Sequence, residues 1–426
     1  MQGAAASVGP GPGKIKAGRR ALLGALLSAP LCARAQGRAR VVVVGGGFAG
    51  ATAARALAGA GHQVTLLEPA AEYLACPFSN EVVAGLREMD AQRFTWDRVA
   101  TSGVRVLRDF ATGVDATTRR VAFAGGTLDY DRLILAPGVD MRFDALPGYT
   151  EAAAERMPYA WKAGPQTLLL RDQLRAMPEN GTVVMAVPAN PYRCPPGPYE
   201  RASLVAHYLK QHKPRAKLLV LDAKDQFSKQ RLFQAAWARL YPNLQWVSLS
   251  DGGKVTGVDP AAMTVSTDFE THKADVANII PPQRAGRIAL VAGVADRTGW
   301  CPVDPVSFES RLQPGVHVIG DAAIMGAMPK SAFAANAQAK VCAEAVTALL
   351  AERTPDEPRL INTCYSLVAP EYGISVAGVY RPVNGQLADI EGAGGTSPLE
   401  AGAAVRAQEA AYAETWFRTI TGAVFG

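Results

Sequence analysis

The sequence predicts an α/β chain with two Rossmann-like domains, the second interrupting the first, followed by a small C-terminal α+β domain. Three observations carry this prediction. A β-branched run breaks into a glycine-rich turn near residue 45 and continues as an alanine-rich helix. A second strand, loop, helix and strand follow between 181 and 222. A charged, proline-bearing segment at 352–358 then separates roughly 70 residues that carry Tyr365, Tyr372, Tyr380, Tyr412 and Trp416. With 426 residues, 49% hydrophobic and 19% charged, the chain is long enough for more than one core.

In the first unit, Arg40-Val41-Val42-Val43-Val44 leads into Gly45-Gly46-Gly47-Phe48-Ala49-Gly50. A helix is expected over Ala51–Gly61 and a strand over Gln63–Leu67, ending at Glu68. This order and length is a dinucleotide-binding unit. Gly45 permits the tight turn, Gly47 lets backbone amides approach a pyrophosphate, Gly50 lets helix and strand pack closely, and Glu68 accepts from ribose hydroxyls. The helix N-terminus adds partial positive charge for the phosphates. A free acid at Glu68 repels a 2′-phosphate, so the ligand is FAD or NAD rather than NADP.

The second unit starts with a strand in Gly181–Pro188, a helix from about Tyr199 to Lys213 and a strand over Lys217–Leu221 that ends at Asp222. Its loop is Ala189-Asn190-Pro191-Tyr192-Arg193-Cys194-Pro195-Pro196-Gly197-Pro198, where a nucleotide-binding copy carries glycines. Prolines lack the amide donors a pyrophosphate needs and cannot take the open conformations glycine supplies. We expect a degenerate NAD-like domain that keeps its fold, with electrons neither coming from nor going to NAD(P).

Two further segments separate FAD from NAD. Asp129-Tyr130-Asp131-Arg132-Leu133-Ile134-Leu135-Ala136-Pro137-Gly138 is a polar turn and an apolar strand, and Gly315–Ala322 is an apolar strand ending in Gly320-Asp321. Together with the first glycine turn they resemble the signatures of the glutathione-reductase-like flavoprotein fold. That resemblance implies FAD, with Asp321 on its ribityl chain. A helix is expected from Pro329-Lys330-Ser331-Ala332 to about Leu350. The expected limits are 36–155 and 286–355 for the FAD-binding domain, 156–285 for the NAD-like domain and 356–426 for the last domain.

Residues 1–35 form a candidate signal peptide: basic Lys14, Lys16, Arg19 and Arg20, an apolar stretch Ala21–Cys32, and Ala33-Arg34-Ala35 as a small-x-small cleavage pattern. Arg19-Arg20 resembles a twin-arginine signal, an ordinary secretory signal being the alternative. Export to the periplasm follows in either case. Removing the five basic residues of this segment takes the net charge from +6 to about +1, so charge makes no case for nucleic acid. No apolar run is long enough for a spanning helix. Cys32 leaves with the signal, and Cys76, Cys194, Cys301, Cys342 and Cys364 remain. Two pairs plus one special cysteine, or one pair, two buried thiols and a special one, both account for five. No cysteine pair precedes a histidine at haem-attachment spacing, so the chain carries no c-type haem of its own, and no zinc-ligand spacing occurs.

Leu74-Ala75-Cys76-Pro77-Phe78-Ser79-Asn80-Glu81, Tyr192–Arg201, Gly299-Trp300-Cys301-Pro302-Val303-Asp304 and Asn362-Thr363-Cys364-Tyr365-Ser366 together resemble the flavoprotein subunit of flavocytochrome c sulfide dehydrogenase, across essentially the whole mature chain. The resemblance implies FAD bonded covalently through Cys76, although Pro77 stands where the family places an aromatic. It implies a redox disulfide between Cys194 and Cys364, and a c-type cytochrome subunit as electron acceptor. Sulfide would attack the disulfide, giving a persulfide on one cysteine and a thiolate on the other. Glu200, six residues after Cys194, is a candidate proton acceptor, the alternative being a solvated first-turn acid. For Cys194 and Cys364 the alternative is a structural disulfide; for Cys342, a buried small hydrophobe. Two other functions stay open: a sulfide:quinone oxidoreductase, and a non-enzymatic exported flavoprotein.

Overall fold

The computed structural model describes residues 38–426; the candidate signal segment and Cys32 lie outside the described residues. Arg40–Val44 is buried from Val41 onward because it runs in the middle of a five-stranded parallel sheet, covered on both faces. The strand order is Val316–Val318, Arg132–Leu135, Arg40–Val44, Gln63–Leu67 and Arg105–Leu107. The edge strand Val316–Val318 thus comes from far down the chain and pairs in parallel with Leu133–Leu135. Between them in sequence lies a second parallel sheet, in the order Leu244–Val247, Lys217–Asp222, Thr182–Val187 and Val276–Ile279. The last segment forms an antiparallel sheet of Leu360–Ala369, Tyr372–Val383 and Gln386–Asp389, backed by the helix Ala403–Val424.

Two glycines explain the sharpness of the first turn. Gly45 has φ +98°, and a Cβ there would lie 2.4 Å from the Ala136 carbonyl oxygen. A Cβ on Gly50 would lie 1.8 Å from the Gly45 oxygen, so the turn and helix can close on each other only without side chains. The helix begins at Phe48, three residues before the expected Ala51, and ends at Gly59. It packs against the helix Ala332–Leu350.

Other boundaries also move. The helix expected from Tyr199 starts at Gly197, because Pro198 is tolerated in a first turn, where no intrahelical amide is needed. The strand expected over Gly315–Ala322 ends at Val318; Gly320 has φ +73° and opens a short 3₁₀ turn, Gly320–Ala322, that turns Asp321 off the sheet. Cys342 is fully buried within Ala332–Leu350, as a small hydrophobe. Among the described residues no helix is long and apolar enough to cross a membrane, and no acidic, His or Cys cluster suits a metal ion.

Candidate functional site

A cavity of about 570 Å³ opens where the carboxyl ends of the first sheet, the proline-rich loop of the second and the first strand of the third meet. Gly45, Gly47, Glu68, Cys76, Cys194, Glu200, Gly320, Asp321 and Cys364 all line it. Gly50 does not; it supports the turn from behind. Cys301 and Cys342 are fully buried elsewhere.

At one end, Gly46 N donates to Glu68 Oε2 at 2.7 Å and Ala70 N to Oε1 at 3.0 Å, so the acid also braces the glycine turn. Trp96 Nε1 donates to the Gly46 carbonyl at 3.0 Å. In the middle, Asp321 Oδ1 is buried without a partner. Burial raises the Asp321 carboxyl above its ordinary range, against the pull of Arg193 and Lys330. A buried acceptor in need of a donor suits a polyol hydroxyl, and the amide-lined turn at a helix N-terminus suits a pyrophosphate. The residues present therefore fit FAD.

The other end holds sulfur and acid. Cys76 is half-buried on the turn after Tyr73–Leu74, with Ala163 N 3.5 Å from its Sγ. Cys194 takes a left-handed conformation, φ +59°, rare for a side chain of this kind. Its amide donates to the Lys330 carbonyl at 2.7 Å, and its carbonyl accepts from Gly197 N at 2.8 Å. A Cβ at Gly197 would lie 2.9 Å from Cys194 Sγ and 2.8 Å from the Trp161 ring, so only glycine fits beneath the sulfur. Cys364 sits on the strand Leu360–Ala369, buried. All five described cysteines stand as free thiols, so Cys194 and Cys364 meet here unbonded. Burial pushes the Cys194 thiol well up; nearby Cys364 and Glu200 add to this, while Lys229 and Arg193 oppose it.

Glu200 is held on both oxygens: Asn80 Nδ2 donates to Oε2 at 2.7 Å and Leu367 N to Oε1 at 2.8 Å. Asn80 is turned the right way by Arg201, whose Nε donates to its Oδ1 at 2.9 Å. Burial raises the Glu200 carboxyl, and those two donors pull it back. The side chains around this end that sequence reasoning missed are Asn80, Arg201, Lys229 and Asn362. Asn80, Arg201 and Asn362 lie inside the quoted cysteine motifs, which was the available signal; Lys229 had none.

The crevice of the second sheet is filled by its own side chains. Asp222 accepts from Tyr199 Oη at 2.6 Å, Trp246 Nε1 at 3.0 Å and Lys224 Nζ at 2.6 Å, and Tyr199 stacks on Phe227 at 3.5 Å between centroids.

Three family models cover most of the described chain: "Pyridine nucleotide-disulphide oxidoreductase" at 39–167, "Sulfide dehydrogenase [flavocytochrome c] flavoprotein chain, central" at 167–281 and "Flavocytochrome c sulphide dehydrogenase, flavin-binding" at 356–425. A curated relative, the sulfide dehydrogenase [flavocytochrome c] flavoprotein chain of Chlorobaculum thiosulfatiphilum, is 52% identical over 48 residues, which is all of that sequence and 11% of this one. The chain belongs to the flavoprotein chains of flavocytochrome c sulfide dehydrogenase. It is a flavin oxidoreductase of a sulfide-oxidising family, with FAD as its flavin. This flavocytochrome c flavoprotein shares its fold with the sulfide:quinone oxidoreductase of Aquifex aeolicus, at TM-score 0.71 and 16% identity over 91% of this chain and 92% of that one. It shares it also with putidaredoxin reductase in its covalent complex with putidaredoxin, at TM-score 0.63 and 19% identity over 83% and 87%.

Proposed function

We propose that this flavoprotein oxidises sulfide through a Cys194–Cys364 disulfide, is tethered to FAD through Cys76, and works as an exported protein with a c-type cytochrome as its electron acceptor. The observation that carries the reading is that Cys194, Cys364 and Glu200 line the same cavity as the glycine turn and Asp321. Hydrosulfide attacks one sulfur of the disulfide; the S–S bond breaks, a persulfide forms on the attacked cysteine, and the other leaves as a thiolate. Glu200, half-buried and held as an acceptor by Asn80 and Leu367, takes the proton that incoming hydrogen sulfide loses. A second hydrosulfide takes the outer sulfur of the persulfide as a disulfide anion, leaving the reduced cysteine pair, and FAD, when bound, would accept the two electrons released as the Cys194–Cys364 bond re-forms. The filled crevice around Asp222 supports an outlet other than NAD(P). The family's description as a flavocytochrome supports a cytochrome in that role.

The test is anaerobic addition of sulfide to Cys194→Ser and Cys364→Ser, with thermal midpoints measured alongside. Both variants should stay folded and yellow and fail to bleach; normal bleaching in both overturns the mechanism. For the tether, acid precipitation should leave a yellow pellet, and a colourless pellet from Cys76→Ser; flavin wholly in the wild-type supernatant refutes it.

A further inference from the structure

Cys364 is gripped from two directions. Its Sγ lies 3.3 Å from Nδ2 of Asn362, and its carbonyl oxygen accepts from Lys229 Nζ at 2.8 Å. Asn362 precedes it by two positions on one strand, and residues two apart share a face, so the contact follows from strand geometry. A side-chain amide has a donating and an accepting end, and which one meets the sulfur decides the effect.

Ser331 makes that choice. Its hydroxyl donates to Asn362 Oδ1 at 2.5 Å while its oxygen accepts from Ala334 N at 3.0 Å, capping the helix Ala332–Leu350. With Oδ1 committed as the acceptor of the only hydroxyl proton, Nδ2 faces the sulfur. Asn362 is 2% exposed and Ser331 and Cys364 8% each, so water does not replace these bonds. On the other sulfur, the neighbouring Glu200 carboxylate opposes negative charge.

We propose that Asn362 is a positioning residue for the sulfur chemistry: its amide stabilises negative charge on Cys364 Sγ when the Cys194–Cys364 bond is open, and so makes the pair easier to reduce. This rests on the disulfide reading above. A disulfide whose reduced form is stabilised is the stronger oxidant, and a hydrogen bond to a charged sulfur acts on the reduced form alone.

The experiment has two arms. In the first, the air-oxidised holoprotein is denatured, alkylated with iodoacetamide before and after dithiothreitol, and mapped by mass spectrometry. Absence of a linked Cys194–Cys364 peptide overturns the disulfide reading itself. In the second, wild type, Asn362→Leu and Asn362→Asp holoproteins are equilibrated anaerobically with mixtures of dithiothreitol and its cyclic disulfide. Dithiothreitol is oxidised to its cyclic disulfide as the protein pair takes up two electrons and one proton, the second proton going to the buffer, and alkylation then reads the reduced sulfurs. The ratio of reduced to oxidised dithiothreitol at half-reduction should rise about tenfold in Asn362→Leu, in line with one lost hydrogen bond to a charged group. It should rise further in Asn362→Asp, whose carboxylate repels the thiolate. The pH midpoint for Cys364 alkylation should move up in both variants. Ser331→Ala, which leaves the strand intact and frees the amide to turn, should shift both readouts in the same direction. A linked peptide in the first arm with wild-type ratios and midpoints in all three variants overturns the role of Asn362.

Discussion

Lys229 and Cys364 stand 135 positions apart, and the Lys229 ammonium donates to the Cys364 carbonyl oxygen at 2.8 Å. It also donates to Ser366 Oγ at 2.8 Å. Lys229 sits in a left-handed conformation, φ +63°, just ahead of the helix Gln230–Leu240. One buried cation therefore ties the second sheet's domain to the strand that carries a reactive sulfur.

Lys229→Met should destabilise the protein by about 1–3 kcal/mol, because it leaves buried acceptors unpaired. Burial lowers the Lys229 ammonium to about 8. Between that value and the ordinary 10.5, the unfolded chain holds a proton that the folded protein has lost, so the Lys229 contribution to stability rises with pH across this window and is least below it. Urea melts of wild type and variant across the window check the sign. An unchanged slope in Lys229→Met would refute the assignment.

Glu200→Gln keeps the shape and one of the two accepted hydrogen bonds, its NH2 facing a donor where the second oxygen stood, and loses the base. The rate of flavin bleaching by sulfide should fall about a hundredfold or more, the ordinary reach of a lost general base. Burial raises the carboxyl, so the acid limb of the wild-type pH–rate profile should lie above the ordinary 4.5 and be missing from the variant. Persistence of the same limb in Glu200→Gln assigns it to another group.

Gly50→Ala places a methyl 1.8 Å from the Gly45 oxygen. Backbone must move to relieve that, at a cost of about 1–3 kcal/mol for overpacking. The purified variant should show a lower thermal midpoint and less flavin per chain. Wild-type flavin content would show that the turn does not need its close approach.

NADH should leave the flavin of the anaerobic protein oxidised, since Pro195, Pro196 and Pro198 stand where a nucleotide loop offers amides, and Asp222 is already occupied. Stopped-flow mixing with NADH and, separately, sulfide makes the comparison; equal rates would contradict the reading of the loop.

The glycine turn, Glu68 and the Gly320-Asp321 pair just past the strand Val316–Val318 were legible in the sequence because their chemistry is local: a backbone conformation, a helix start and an acid at fixed spacing. The α/β class followed from the same periodicities. What stayed hidden is made of distant partners. Lys229 lies in an ordinary polar stretch, and only the folded chain brings it to Cys364. Asn80 becomes meaningful once Arg201, 121 positions later, turns its amide toward Glu200. The helix starts at Phe48 and Gly197 were misjudged because glycine and proline flanking a turn conceal where helical hydrogen bonding begins.

The self-filled crevice of the second sheet is locked by shared partners. Asp222 serves three donors at once, and Tyr199 is wedged against Phe227. Replacing Asp222 strands all three donors at once, leaving the Tyr199 hydroxyl and the Trp246 indole without their acceptor and the Lys224 ammonium without its counter-ion. A single substitution at Asp222 therefore empties the crevice only by leaving unpaired polar groups behind, so reopening it takes coordinated changes at Asp222 and its donors.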